Sequence, residues 1–200
     1  SNVFVPRVTT MITKNASPQE LTDLMIRIGR IQFIILGVLL CGIIALGKQF
    51  IVLWAGDNYI ASYYITCILI IPLTLPLTQN IGISILYAQN RHAFRAIMLL
   101  CVSIVNVIIS YFFIKAYGSI GASIGTALSL ILGQGIIINV YYYQKINLEM
   151  VRFFKECILG LLFPIALSIL VGYLLGYLLP SNTVLTFMPK AIAFLAAYIS

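Results

Sequence analysis

Few residues in this sequence can do chemistry, and most of those lie inside apolar stretches. Pro72 and Pro76 stand one helical turn apart, and at 100° per residue Pro72, Pro76, Gln79, Asn80, Ser84 and Tyr87 fall on one face. Proline has no N–H and crowds the preceding turn, so the bonds to the carbonyls of Ile68 and Pro72 cannot form and the helix must bend or open. In hydrocarbon such a face is costly unless it meets protein or water. It is either a kinked helix bonding its neighbours or a broken helix lining a cavity, as transporters build their sites. The chemistry on offer is hydrogen bonding to a polar ligand or to another helix.

Three further groups belong with that face. Ser103, Asn106 and Ser110 form a second polar stripe, either interhelical glue worth well under ~2 kcal/mol or cavity wall. Arg7 is the one charge inside a span, where a guanidinium costs at least ~2.5–3.5 kcal/mol, so it snorkels or faces a polar cavity. Arg7, Gln79, Asn80, Ser84 and Asn106 are therefore the candidate substrate-cavity residues. Gly121 and Gly125 make a GxxxG within a stripe of Ser119, Ala122, Ser123, Thr126, Ser129 and Gly133, which lets a neighbouring backbone approach closely. A phosphate-cradling loop is excluded there, because no strand precedes it and no Gly-Lys-Ser/Thr follows.

Asp and Glu occur only at positions 20, 23, 57, 149 and 156, and the sole His is His92. An intramembrane protease, a metal site or a proton relay has no residues to use inside the spans. Cys41, Cys67, Cys101 and Cys157 lack metal-ligand spacing and read as small core residues. The expectation is a non-enzyme without cofactor or metal.

The elements that must position these residues follow from composition. Of 200 residues, 62% are hydrophobic and 8% charged, against about 45–50% and about 25% in soluble domains. Charge-free runs cover 31–47, 58–90, 96–114, 116–144 and 157–189, several beyond the roughly 20 residues that cross a bilayer. This predicts an all-α polytopic membrane protein, and it excludes a soluble enzyme, a disulfide-stapled secreted module and a disordered chain. The expected order is a partial span over 1–13, a surface helix over 18–30, spans over about 31–53, 64–88, 96–115, 119–143 and 157–179, and a truncated span over 190–200. The whole reads as one transmembrane helical unit, a fragment truncated at both ends and without a signal peptide.

Charge sets the orientation. Lys14, Arg27, Arg30, Arg91, Arg95, Lys145, Arg152 and Lys155 lie on one side, and only Lys48, Lys115 and Lys190 on the other. The positive-inside rule puts the first group in the cytoplasm, so the net charge of +7 needs no nucleic-acid partner. Ser17-Pro18-Gln19-Glu20 is a capping box opening an amphipathic helix, with Leu21, Leu24, Met25 and Ile28 on its apolar face. Asn147 opens a shorter one, with Leu148, Val151 and Phe154 apolar. Trp54, Tyr59, Tyr63 and Tyr64 at outer span ends, and Tyr141, Tyr142 and Tyr143 at an inner one, read as headgroup-level aromatic belts.

The order of features resembles a known family. Pro6-Arg7 near the end of a helix, Leu53-Trp54-Ala55-Gly56-Asp57-Asn58-Tyr59-Ile60-Ala61 at an outer end and Leu86-Tyr87-Ala88-Gln89-Asn90-Arg91 at an inner end come first. Val105-Asn106 and Tyr117-Gly118-Ser119-Ile120-Gly121-Ala122-Ser123-Ile124-Gly125-Thr126 follow. Together they look like the C-terminal half of polysaccharide or O-antigen flippases of the multidrug/oligosaccharidyl-lipid/polysaccharide exporter superfamily. The resemblance implies a helical lobe of a two-lobe bundle around a central cavity, working by alternating access in the bacterial inner membrane. The implied cargo is an undecaprenyl-diphosphate-linked oligosaccharide for O-antigen or another envelope polysaccharide, with membrane lipids and polysaccharide assembly proteins as partners. A cation-coupled drug or metabolite antiporter is the alternative within the superfamily. A polysaccharide polymerase or glycosyltransferase, or a non-transporting scaffold, is further from the pattern.

Overall fold

The computed structural model describes residues 5–178 together with Pro189, Phe194 and Tyr198. Apart from Phe194 and Tyr198, the truncated span expected over 190–200 lies outside the described residues. The ordered elements are helical throughout: α1 (Val5–Thr13), α2 (Pro18–Ala55), a 3-10 turn (Asp57–Tyr59), α3 (Ile60–Thr78), α4 (Asn80–Ala88) and α5 (His92–Leu130). A π-helical stretch (Ile131–Ile137), α6 (Ile138–Ile146), α7 (Met150–Phe153), a second π-helical stretch (Phe154–Leu159) and α8 (Gly160–Leu178) complete it. Four helical runs, Pro18–Ala55, Asp57–Thr78, His92–Ile146 and Met150–Leu174, are long and apolar enough to cross a bilayer. The chain is an all-α polytopic membrane protein.

The longest run is two crossings. Gly118 sits at φ 59°, ψ −138°, a backbone conformation that side-chain-bearing residues avoid, and the chain reverses there. Beyond it the two legs pack antiparallel through small residues. A Cβ on Gly121 would collide with the Phe113 carbonyl, one on Gly125 would lie 2.8 Å from the Ser110 Cα, and one on Gly133 2.7 Å from Val102 Cγ2. These contacts step outward from Gly118 in opposite directions along the chain, which defines a hairpin held by backbone approach.

Two expectations about the linkers are corrected. The surface helix over 18–30 and the span over 31–53 are one continuous helix. Its start is the capping box, with the Ser17 N–H donating to Glu20 Oε2 at 2.8 Å and the Glu20 N–H to Ser17 Oγ at 3.2 Å. Thirty-eight residues at 1.5 Å each span roughly 57 Å, well beyond a hydrocarbon core of about 30 Å. Nothing between Arg30 and Ile31 terminates the ladder, and Gly29 alone does not; it is wedged beside Phe153, Cys157 and the Thr78 carbonyl. The second surface helix is likewise merged into the run that becomes α8. Asn147, in the left-handed region at φ 57°, closes α6 instead of opening a helix. Leu148 therefore precedes the helix and is buried, Val151 is 78% exposed, and Met150, Phe153 and Cys157 form the inward face.

The tightest packing lies at the basic end. Val8, Met25, Ile81, Ile85, Leu86, Ile138, Tyr142, Leu148 and Phe153 are all fully or almost fully buried there. Tyr142 is part of this core, packed on Gly82, and the neighbouring Tyr141 stacks on Phe94, which leaves only Tyr143 of the expected inner belt exposed. At the other end Tyr63 is also a packing residue, its hydroxyl donating to the Ile44 carbonyl at 2.8 Å, while Trp54, Tyr59 and Tyr64 remain exposed. Cys41 and Cys157 are buried, but Cys101 is exposed on the outward face of α5. Ile35, Leu39, Ile97, Leu100, Val107, Phe112 and Leu170 are exposed as well, the surface a bilayer would cover.

Candidate polar site at the break in the third span

The third span opens between α3 and α4. Gln79 takes φ −96°, ψ 19°, the sparsely populated region between helix and strand. Pro72 and Pro76 lie inside α3, so the weakening they impose is released one turn later rather than at the prolines themselves. Short polar side chains then serve the backbone carbonyls around the break. Thr74 donates to Ile71, Thr78 to Thr74 or Leu75, Asn80 Nδ2 to Leu77 at 3.0 Å and Ser84 to Asn80 at 3.1 Å. Asn80 thus reaches back across the break to a carbonyl at the end of α3, while Ser84 bonds within α4.

Gln79 behaves differently. Its Nε2 donates to Asn139 Oδ1 at 2.9 Å, and Asn139 Nδ2 donates to the carbonyls of Gln134 at 3.0 Å and Gly135 at 2.8 Å. Those carbonyls belong to the π-helical stretch, where the wider turn loosens the normal ladder. The amide orientations are therefore fixed by chemistry. Asn139 must turn its nitrogen to two carbonyls and its oxygen to Gln79, so Gln79 must answer with its nitrogen. Gln79 Oε1 is left without a partner although the residue is only 2% exposed. A buried unpaired acceptor costs about 1–3 kcal/mol, and a donor from water or a ligand would satisfy it. One and two turns before Gln79, Leu75 and Pro72 line an apolar cavity of about 530 Å³ that also takes in Phe33, Leu40, Ile131 and Leu162.

The other candidates lie elsewhere. Asn106 Oδ1 accepts from Ser110 at 2.9 Å and Thr126 at 3.4 Å, joining the two legs of the α5 hairpin. Ser103 is exposed and bonds its own helix. Tyr87 is exposed and stacks on His92. Arg7 is exposed and lines a small pocket with Met11, Glu20, Asp23, Leu24 and Arg27. No hydrogen bond among the described residues links Arg7, Gln79 and Asn106. Gln134 and Asn139 are the site residues that the sequence reading missed. The signal was present, since both are amides in the charge-free run 116–144 and Gln134 is flanked by two glycines.

Acidic residues concentrate away from the break. Arg152 pairs with Asp23 at 2.9 Å, Glu149 at 3.4 Å and Glu156 at 2.7 Å, and Arg30 with Glu156 at 3.1 Å. This clamps the basic end of α2 to α7 and the π-helical stretch after it. The hydrogen bond that Arg152 donates to Glu156 holds that carboxyl below the ordinary carboxylate range, and together with the one it donates to Glu149 it keeps the guanidinium firmly protonated. Among the described residues no group of His, Cys, Asp and Glu could hold a metal ion. No family model, curated protein or solved structure matches the chain.

Proposed function

We propose that this chain is part of a transporter that flips an undecaprenyl-diphosphate-linked oligosaccharide, an O-antigen or other envelope repeat unit, across the bacterial inner membrane by alternating access. The observation that carries the reading is the broken third span. It sets a buried, unpaired amide oxygen on Gln79 close along the chain to an apolar cavity that begins at Pro72 and Leu75. An amphiphilic cargo has a part for each, and discontinuous helices with unsatisfied polar groups are how transporters make binding sites inside a bilayer. The choice of a lipid-linked sugar as cargo rests on the family resemblance set out from the sequence. Membrane lipids and polysaccharide assembly proteins are the proposed partners, with no enzymatic activity and no cofactor. In a cell relying on this protein, its depletion is expected to accumulate the lipid-linked repeat unit on the cytoplasmic leaflet, and a mature polysaccharide made at the normal rate would overturn the proposal.

A further inference from the structure

Two groups of charges at the basic end are set apart by their partners, beside Lys14, Arg27 and Lys155. In the first, Asp23, Glu149 and Glu156 are engaged by Arg30 and Arg152, and Glu20 closes the Ser17 cap. Asp57 lies beyond the opposite end of α2, so no carboxylate remains for the second group. That group is Arg91, Arg95 and Lys145, where α4, α5 and α6 meet. None of the three forms an ion pair among the described residues.

The second group is held in place. Asn90, at φ 56°, turns the chain, and the Arg91 N–H donates to the Leu86 carbonyl at 2.8 Å. Arg91 Nη1 donates to the Lys145 carbonyl at 2.9 Å, which ties the start of α5 to the end of α6 and leaves its remaining donors free to face outward. Arg95, one turn along α5, is partly buried and within electrostatic reach of the buried Tyr142 phenol. Its Nε–H is buried without an acceptor. A desolvated guanidinium donor is expensive to leave unpaired, and the oxyanion a guanidinium fork fits best, apart from the carboxylates already committed, is phosphate. Exposed Ile97 and Leu100 lie within two turns of Arg95, so the hydrocarbon boundary runs beside the cluster and a phosphate there arrives on a lipid.

We infer that Arg91, Arg95 and Lys145 form a binding site for the phosphate headgroup of an anionic membrane lipid. The site shares no residue with the break in the third span and does not rest on the transport reading. The test is lipid retention by the protein in nanodiscs of phosphatidylcholine and phosphatidylglycerol, followed by release and native mass spectrometry. Wild-type protein is expected to retain phosphatidylglycerol preferentially. Arg95→Gln is expected to weaken that retention about fivefold and Arg91→Gln to add a similar factor, from roughly 1 kcal/mol per basic residue at a membrane surface. Arg95→Lys, which keeps the charge but loses the Nε–H and the fork, should keep only part of the preference, and Lys48→Gln at the far end should keep all of it. If Arg95→Gln fails to fold, Lys145→Gln, on an exposed side chain, gives the same readout. Equal retention of the two lipids by wild type, a preference untouched by these substitutions, or displacement of the lipid by millimolar inorganic phosphate would overturn the assignment.

Discussion

Replacing Asn139 with Leu tests the polar lock at its centre. The substitution roughly conserves volume and removes three hydrogen bonds, one from Gln79 and two to the carbonyls of Gln134 and Gly135. Side-chain hydrogen bonds inside membrane proteins average about 0.6 kcal/mol and reach about 1.7, so Asn139→Leu is expected to cost about 2 kcal/mol. Gln79→Leu loses one of those bonds but also removes the unpaired Oε1. Its expected cost is below about 1 kcal/mol, since deleting an unsatisfied acceptor recovers part of the loss. The double variant should be less destabilised than the sum of the two by about 0.6 kcal/mol, the bond they share. Reversible unfolding of the protein in bicelles, monitored for the two single variants and the double, gives all three values. Equal costs for the two single substitutions, or strict additivity in the double, would refute the assigned amide orientations.

Three other outcomes follow from the same structure. Gly125→Val should destabilise the α5 hairpin by about 1–3 kcal/mol, the usual penalty for overpacking, because the added carbons meet Ser110 backbone; cysteine crosslinking between positions 102 and 133 should fall with it. Glu156 has its folded-state acidity increased by Arg152, so its contribution is complete above the unfolded carboxylate value near ~4.3 and is lost as pH falls through the lower folded value. The melting temperature of wild type should therefore exceed that of Glu156→Gln by a constant margin near neutral pH, and the margin should close in acid. Arg7→Ala should reduce transport more than protein abundance, as measured by flipping rate against membrane immunoblot; an equal fall in both would assign Arg7 to packing or insertion.

What could be read from the sequence was set by interactions local in the chain. Ser17, Pro18 and Glu20 specify a helix start from three residue types at fixed spacing, and the structure makes both capping bonds. Charge scarcity likewise announces an all-helical membrane chain, because each span must satisfy its own backbone. The continuity of α2 past Arg30 was hidden, because an amphipathic segment running into an apolar one looks the same whether the helix bends or continues. Tyr142 looked like a belt residue because ring type and position near a span end fit the headgroup region. Only the Gly82 face opposite it, 60 residues away, reveals it as core. The Gln79–Asn139 bond has the same separation, and the π-helical stretch that orients Asn139 has no local marker beyond Gly133 and Gly135. Polar residues in an apolar span announce that a partner exists, and tertiary packing decides which.

The transport reading is tested most directly by reconstituting the protein into vesicles loaded on one leaflet with a fluorescent undecaprenyl-diphosphate-linked oligosaccharide, with transfer scored by quenching or enzymatic access from the other side. Transfer well above that of protein-free vesicles, and reduced by Gln79→Leu in protein that remains folded, is the expected result. No transfer by folded, correctly inserted protein, or transfer indifferent to Gln79, would contradict it.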